Sequence, residues 1–254
     1  MEVIAVKNEQ EMSEKAASII AAQITDNPDI VLGLATGGTP EGTYREWIRN
    51  AAGLPLSRLQ TFNLDEYAGL SPNHPNSYHR YMEEKLFRPL ELRSGQTHLP
   101  KGDADDLQAE ARRYEQDIQE GGGIDLQLLG IGENGHIGFN EPGTSFDSRT
   151  HIVKLKPSTR EANARFFDDK EEVPYHAVTM GIQTIMESRH ILLLASGTRK
   201  QEAVTNLLEG KINEDFPASV LQNHPYVTII ADEAALSGIS FNKWISEGRE
   251  RETR

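Results

Sequence analysis

Apolar residues along this chain switch repeatedly between two spacings. Unbroken or nearly unbroken runs at MEVIAVK (1–7), DIVLGLA (29–35), LQTFNL (59–64), IDLQLLGIG (124–132), RTHIVKL (149–155), HILLLAS (190–196) and YVTIIAD (226–232) predict strands. Between them, apolar positions recur every three or four residues. Met12, Ala16, Ile19, Ile20 and Ile24 share one side of a helix over 8–25. Further helices are predicted over 40–51, 77–90, 104–119, 158–167, 178–187, 198–209 and 232–237. A run as continuously apolar as DIVLGLA suits a strand covered on both faces. Strands that alternate with helices imply right-handed crossovers. The fold class is therefore α/β, a doubly wound, mostly parallel sheet flanked by helices in a modified Rossmann-like arrangement. No repeat or low-complexity linker interrupts the pattern, so residues 1–254 read as a single α/β domain. The polar tail SEGRERETR (246–254) is expected to fray.

In such sheets ligands bind beyond the carboxyl ends of the strands. Polar residues of chemical interest do follow the strands, after Leu34, Leu64, Ile131 and Leu194. In LGLATGGTPEGTY (32–44), two glycines and two threonines turn the chain, Thr39 can cap a helix and Pro40 suits its first position. Free N–H groups there, approached closely through Gly37 and Gly38, suit a phosphate. A capped strand–helix turn is the plainer alternative. The Lys-Ser/Thr pair of a P-loop is absent.

In FNLDEYAGL (62–70), Asp65 and Glu66 stand at the ligand edge, where a carboxylate can act as general base; a helix cap or solvated acidic pair is the alternative. His74 and His79 follow, five apart and without a third ligand, which argues against a metal site. The densest segment is LLGIGENGHIGFNEPGT (128–144). Gly130, Gly132 and Gly135 allow a sharp turn, and Asn134, His136 and Glu141 lie within it. Histidine shuttles protons near neutral pH, and a carboxylate can orient its ring. Arg165 and Lys200 follow turns, where an Arg can match a phosphate bidentately and a Lys supplies a point charge; solvated surface cations are the alternative.

Composition narrows the partners. Acids outnumber bases 39 to 26, a net charge of −13, which argues against a nucleic-acid or anionic-membrane surface. Without cysteine there is no disulfide, thiolate nucleophile or thiolate-held metal. No apolar run approaches the ~18 residues of a membrane span, and the start lacks a signal-peptide pattern, so a cytoplasmic location is the default expectation.

In order along the chain, LATGGTP, FNLDEYAGL, HPNSY, GIGENGHIGFNEPG, SRT, NARFF, AVTMGI, SGTRKQEA and PASVLQNHP resemble the glucosamine-6-phosphate deaminase family. The set spans nearly the whole chain. The wider superfamily includes 6-phosphogluconolactonases, but GHIGFNEPG resembles the deaminase signature. The resemblance implies conversion of glucosamine 6-phosphate and water to fructose 6-phosphate and ammonia. It implies that Asp65 moves the C2–C1 proton and that His136 opens the ring, supported by Asn134 and Glu141. Gly37, Gly38, Thr39, Arg165 and Lys200 resemble the phosphate site, and the segment around 158–167 resembles a mobile lid.

No metal or pyridoxal cofactor is implied, because the substrate's own amine serves as electron sink. Asn134 stands where one branch has Asp, so Glu141 is expected to carry more of the electrostatic tuning of His136. His151 and Val153 replace the basic pair of the branch activated by N-acetylglucosamine 6-phosphate. That departure implies no such activation, and a monomer or small homo-oligomer. A lactonase on the same fold, or a sugar-phosphate-binding regulator, are the alternatives; no basic helix-turn-helix pattern supports the latter.

Overall fold

The computed structural model of the chain describes residues 1–164, 167 and 172–239, with only the backbone of Ser158 and Ala162. Among them, one sheet contains β1 (Glu2–Val6), β2 (Val31–Leu34), β3 (Gln60–Asn63), β5 (Thr97–His98), β6 (Leu126–Gly130), β9 (His190–Ala195) and β10 (Val227–Asp232). Its order is β1-β10-β9-β6-β2-β3-β5, and every pairing is parallel. The order explains the buried runs. Leu192 and Leu194 of β9 face one apolar cluster while Ile191 and Leu193 face the other. On the first side lie α1 (Glu9–Asp26) and α2 (Gly38–Arg49), with Met12, Ile20 and Trp47 fully buried. On the second lie α4 (Leu107–Glu120), α6 (Ile182–Met186), α7 (Gln201–Glu209) and α8 (Glu233–Leu236), burying Tyr114, Ile185, Val204 and Leu236. Each large side chain of this kind contributes roughly 1.5–3 kcal/mol by leaving water.

From β2 the chain proceeds outward through β3 to β5, whereas from β6 it proceeds the other way through β9 to β10. The β2–β6 junction is thus a switch point. Loops leaving the two strands diverge there and open a crevice.

A second, antiparallel sheet was not expected from the sequence. It has the order β4-β8-β7, built from β4 (Asp65–Tyr67), β8 (His176–Thr179) and β7 (His151–Lys154). The helix expected over 178–187 therefore begins only at Ile182. Val178 and Thr179, both β-branched, pair with β4 and β7 instead, and Gly181 is extended against the carbonyls of Ser148 and Arg149. The helix expected over 77–90 is α3 (Tyr78–Met82) followed by a π-helical stretch (Glu83–Phe87). α5 (Pro157–Asn163) follows β7. The tail at 246–254 lies outside the described residues. Among the described residues, no helix is long and apolar enough to cross a membrane.

Candidate active site

The crevice at the switch point is a cavity of about 640 Å³. Gly37, Gly38, Thr39, Asp65, Asn134, His136 and Lys200 all line it. Residues far apart in sequence converge because each follows a strand whose carboxyl end meets the crevice. Arg165 lies outside the described residues.

At one end is the start of α2. The helix begins at Gly38 rather than near Pro40, so Thr39 is inside the first turn and is not its cap. Gly37 is the N-cap, at φ 108°, and no side chain caps the helix. Pro40 occupies the third helical position, so its missing N–H costs no helical bond. The N–H groups of Gly38 and Thr39 remain without an intrahelical partner, and the macrodipole makes this end attractive to an anion. Two tyrosines fix the loop: Tyr44 Oη donates to Ala35 O at 2.5 Å and Tyr81 Oη to Gly37 O at 2.7 Å. Lys200 lines the same cavity from a short 3-10 turn (Thr198–Lys200) after β9. That turn is tied down by Asp232, which accepts from Ser196 Oγ at 2.6 Å and from Gly197 N at 3.0 Å. Arg199, not singled out in the sequence, also lines the cavity and pairs with Glu133 at 3.6 Å on its rim.

Asp65 is only 6% exposed, and among the described residues no donor reaches its carboxylate. Burial, with the neighbouring Glu66 charge adding to it, pushes its pKa up to about 8. Asp65 is thus a carboxylate without compensating hydrogen bonds, the condition that makes a weak base stronger. Glu66, adjacent in sequence, points the other way. It accepts from the backbone of Tyr67, Tyr78 and His79 and sits 2.8 Å from His79 Nδ1, fastening α3 to β4. His79 is engaged there, His74 Nδ1 accepts from Asn76 N, and the described residues hold no cluster of three metal-ligating groups.

His136 lies across the cavity. Its Nδ1 is 2.7 Å from Asn134 Oδ1, and Asn134 Nδ2 donates to Glu141 Oε2 at 2.8 Å. An amide oxygen only accepts, so Nδ1 carries the hydrogen and Nε2 presents a lone pair. Burial lowers the His136 pKa, Glu141 opposes this, and Lys200 and Lys156 reinforce it. Neutral imidazole is therefore the resting form. Glu141 does not line the cavity; it is 5% exposed, behind Asn134, and also accepts from Thr159 Oγ of α5. Its influence on His136 is exerted at 3.9 Å with Asn134 between them.

Glycines make this geometry possible. A side chain at Gly132 would overlap the His136 imidazole, and one at Gly135, at φ 83°, would strike the Phe216 ring. The turn is locked to β8: Phe139 N donates to Thr179 Oγ1 at 3.1 Å, and Asn140 Nδ2 to Met180 O at 2.8 Å. Thr179 is also paired with Asp65 across β4–β8. The small sheet thus sets the distance between the carboxylate and the imidazole.

Fold and site together define a doubly wound α/β protein with a small-molecule pocket at its switch point. The chain belongs to the family of glucosamine-6-phosphate isomerases and 6-phosphogluconolactonases, which it matches over residues 6–229. It is 58% identical over 239 residues to glucosamine-6-phosphate deaminase of Geobacillus sp. (strain WCH70), covering 93% of this chain and 95% of that one. The solved structure of a monomeric glucosamine-6-phosphate deaminase superposes with a TM-score of 0.92 at 55% identity, covering 94% of this chain and 100% of that one. A 6-phosphogluconolactonase from Trypanosoma cruzi shares the fold, with a TM-score of 0.76 at 19% identity over 94% of this chain and 97% of that one.

Proposed function

We propose that this chain converts glucosamine 6-phosphate and water to fructose 6-phosphate and ammonia. The observation that carries the reading is one cavity with an unbonded buried carboxylate, Asp65, and an imidazole fixed with Nε2 available, His136. A lactonase needs no base over C1 and C2. The relatives at 55–58% identity are named for the deaminase reaction, which supports the same choice.

The phosphate would sit at the start of α2, against Gly37, Gly38, Thr39 and Lys200, with Arg165 as a further ligand carried over from the family resemblance. Binding energy there is remote from the reacting carbons and holds them in register. Neutral His136 takes the proton of the C1 hydroxyl at Nε2 and returns it to the ring oxygen, opening the pyranose. Asp65 removes the C2 proton and delivers it to C1. The C2 amine becomes an imine, water adds at C2, the C–N bond breaks, and ammonia leaves. The substrate's ammonium favours ionised Asp65 when it enters the cavity. The C1 carbonyl freed by ring opening takes the electron pair as C2 loses its proton, and the substrate's ammonium yields the proton that O1 needs. The amine's lone pair then drives protonation at C1 and becomes the imine. We place the protein in the cytoplasm as a monomer or small homo-oligomer without a nucleic-acid partner. A one-to-one yield of fructose 6-phosphate and ammonia, with no hydrolysis of 6-phosphogluconolactone, is the result expected of this reading; lactone hydrolysis without ammonia would replace it with the lactonase.

A further inference from the structure

The His136–Asn134–Glu141 chain does not end at Glu141. Oε2 of Glu141 is taken by Asn134, and Oε1 accepts from the Thr159 hydroxyl. Thr159 belongs to α5, not to the Gly-rich turn, and it is buried at 7% exposure. α5 is also a wall of the cavity, through Thr159, Glu161 and Asn163. A second anchor of α5 is separate from Glu141: Arg160 donates to Val173 O at 2.8 Å and lies 3.8 Å from the centre of the Tyr175 ring. We infer that Thr159 is a positioning residue that fixes the rotamer of Glu141, and through Asn134 the ring of His136, only while α5 covers the cavity. This rests on the ring-opening role proposed for His136.

The argument is one of valence. Asn134 has one amide to give: Oδ1 accepts from His136 and Nδ2 needs an acceptor. Glu141 supplies that acceptor only in the rotamer that turns Oε2 inward. A buried carboxylate with one oxygen unsatisfied has reason to rotate, since leaving it unpaired is costly. The hydroxyl of Thr159 removes that reason. The charged groups facing His136 are Glu141 from its own loop, Lys200 from the turn after β9, and Lys156, the N-cap of α5. Lys156 also donates to Pro142 O at 3.4 Å, so α5 grips the Glu141 segment twice. Seating of α5 and readiness of the imidazole are thereby one event, which suits a reaction whose open-chain intermediate must not meet bulk water.

The test compares Thr159→Val, which keeps the shape and removes the hydroxyl, with Thr159→Ser, which restores it, and with Arg160→Gln, which weakens the α5 anchor without touching Glu141. The readouts are kcat and KM for ammonia release and the 15N chemical shifts and titration of the His136 ring in the unliganded protein. We expect Thr159→Val to lower kcat at least tenfold with little change in KM. His136 should titrate lower than in wild type, because a Glu141 that turns away no longer raises it, and Nδ1–H should exchange faster. Thr159→Ser should return all three, and Arg160→Gln, which loosens α5 but keeps the hydroxyl, should move kcat and the titration the same way but by less. An unchanged His136 titration in Thr159→Val, or an Arg160→Gln variant that loses kcat with the His136 titration unmoved, overturns the inference. Thr159→Ala replaces the valine variant should that fail to fold. The NMR readout needs no turnover, so an inactive wild type would count against the proposed reaction while the titration still decides the role of Thr159.

Discussion

Glu141 and His136 do not touch: 3.9 Å separates Oε2 from Nδ1, and the Asn134 amide bonds to both. The amide fixes the tautomer without placing a charge against the ring. A carboxylate at that position would stabilise the imidazolium. Asn134→Asp should therefore raise the His136 pKa, by about one unit or ~1.4 kcal/mol. An NMR titration of His136 in the two proteins measures this directly, and no upward shift would contradict the role given to the amide.

Asp65 makes a prediction of opposite sign to the usual carboxylate. Its folded pKa is raised to about 8, so the folded state holds a proton that the unfolded state releases from about 3.8 upward. Its contribution to stability is full below the unfolded value and is lost as pH rises through the folded one. Asp65→Asn removes the buried charge. We expect little change in thermal stability at pH 4 and a gain on the order of 2 kcal/mol at pH 9, after allowing for cavity water. Chemical denaturation at the two pH values checks it. The same raised value predicts an acidic limb in kcat/KM with an inflection near pH 8.

Lys200 and the start of α2 line the same cavity. Replacing the ammonium by Lys200→Met should lower kcat/KM for glucosamine 6-phosphate about 10- to 100-fold, the worth of a hydrogen bond to a charged group. Most of the loss should fall on KM. Competitive inhibition by inorganic phosphate should weaken in parallel, and undiminished inhibition would remove Lys200 from the phosphate end.

Gly135 combines a positive φ with contact to Phe216, while its carbonyl accepts from Ala218 N at 2.9 Å. Gly135→Ala should destabilise the fold by about 2 kcal/mol through backbone strain and overlap together. Adding Phe216→Ala relieves the overlap but not the strain, so thermal melts of the double variant should show no full recovery.

The strands of the large sheet were legible because burial on both faces leaves continuous apolar runs, as in HILLLAS and DIVLGLA. The small sheet was not. β4 is the three residues Asp65–Tyr67, two of them acidic, and its hydrogen-bonding partner β8 lies more than a hundred residues away. Nothing local in AVTMGI distinguishes Val178 and Thr179 as strand from a helix start, since Val178, Ile182 and Ile185 also fit helical spacing. Asp65, His136 and Lys200 stood out because each follows an apolar run. Thr159 did not, being one of two adjacent hydroxyls in KPSTREAN, and what marks it is its contact with Glu141 in the folded chain. Arg199 was passed over beside Lys200, although the two share one turn.

The central claim is that Asp65 is the base of a deaminase, and ammonia release from glucosamine 6-phosphate without added cofactor tests it most directly. Wild type should release ammonia, and folded Asp65→Asn should lose nearly all of that activity. Equal rates in the two proteins, or no release by folded wild type, would contradict it.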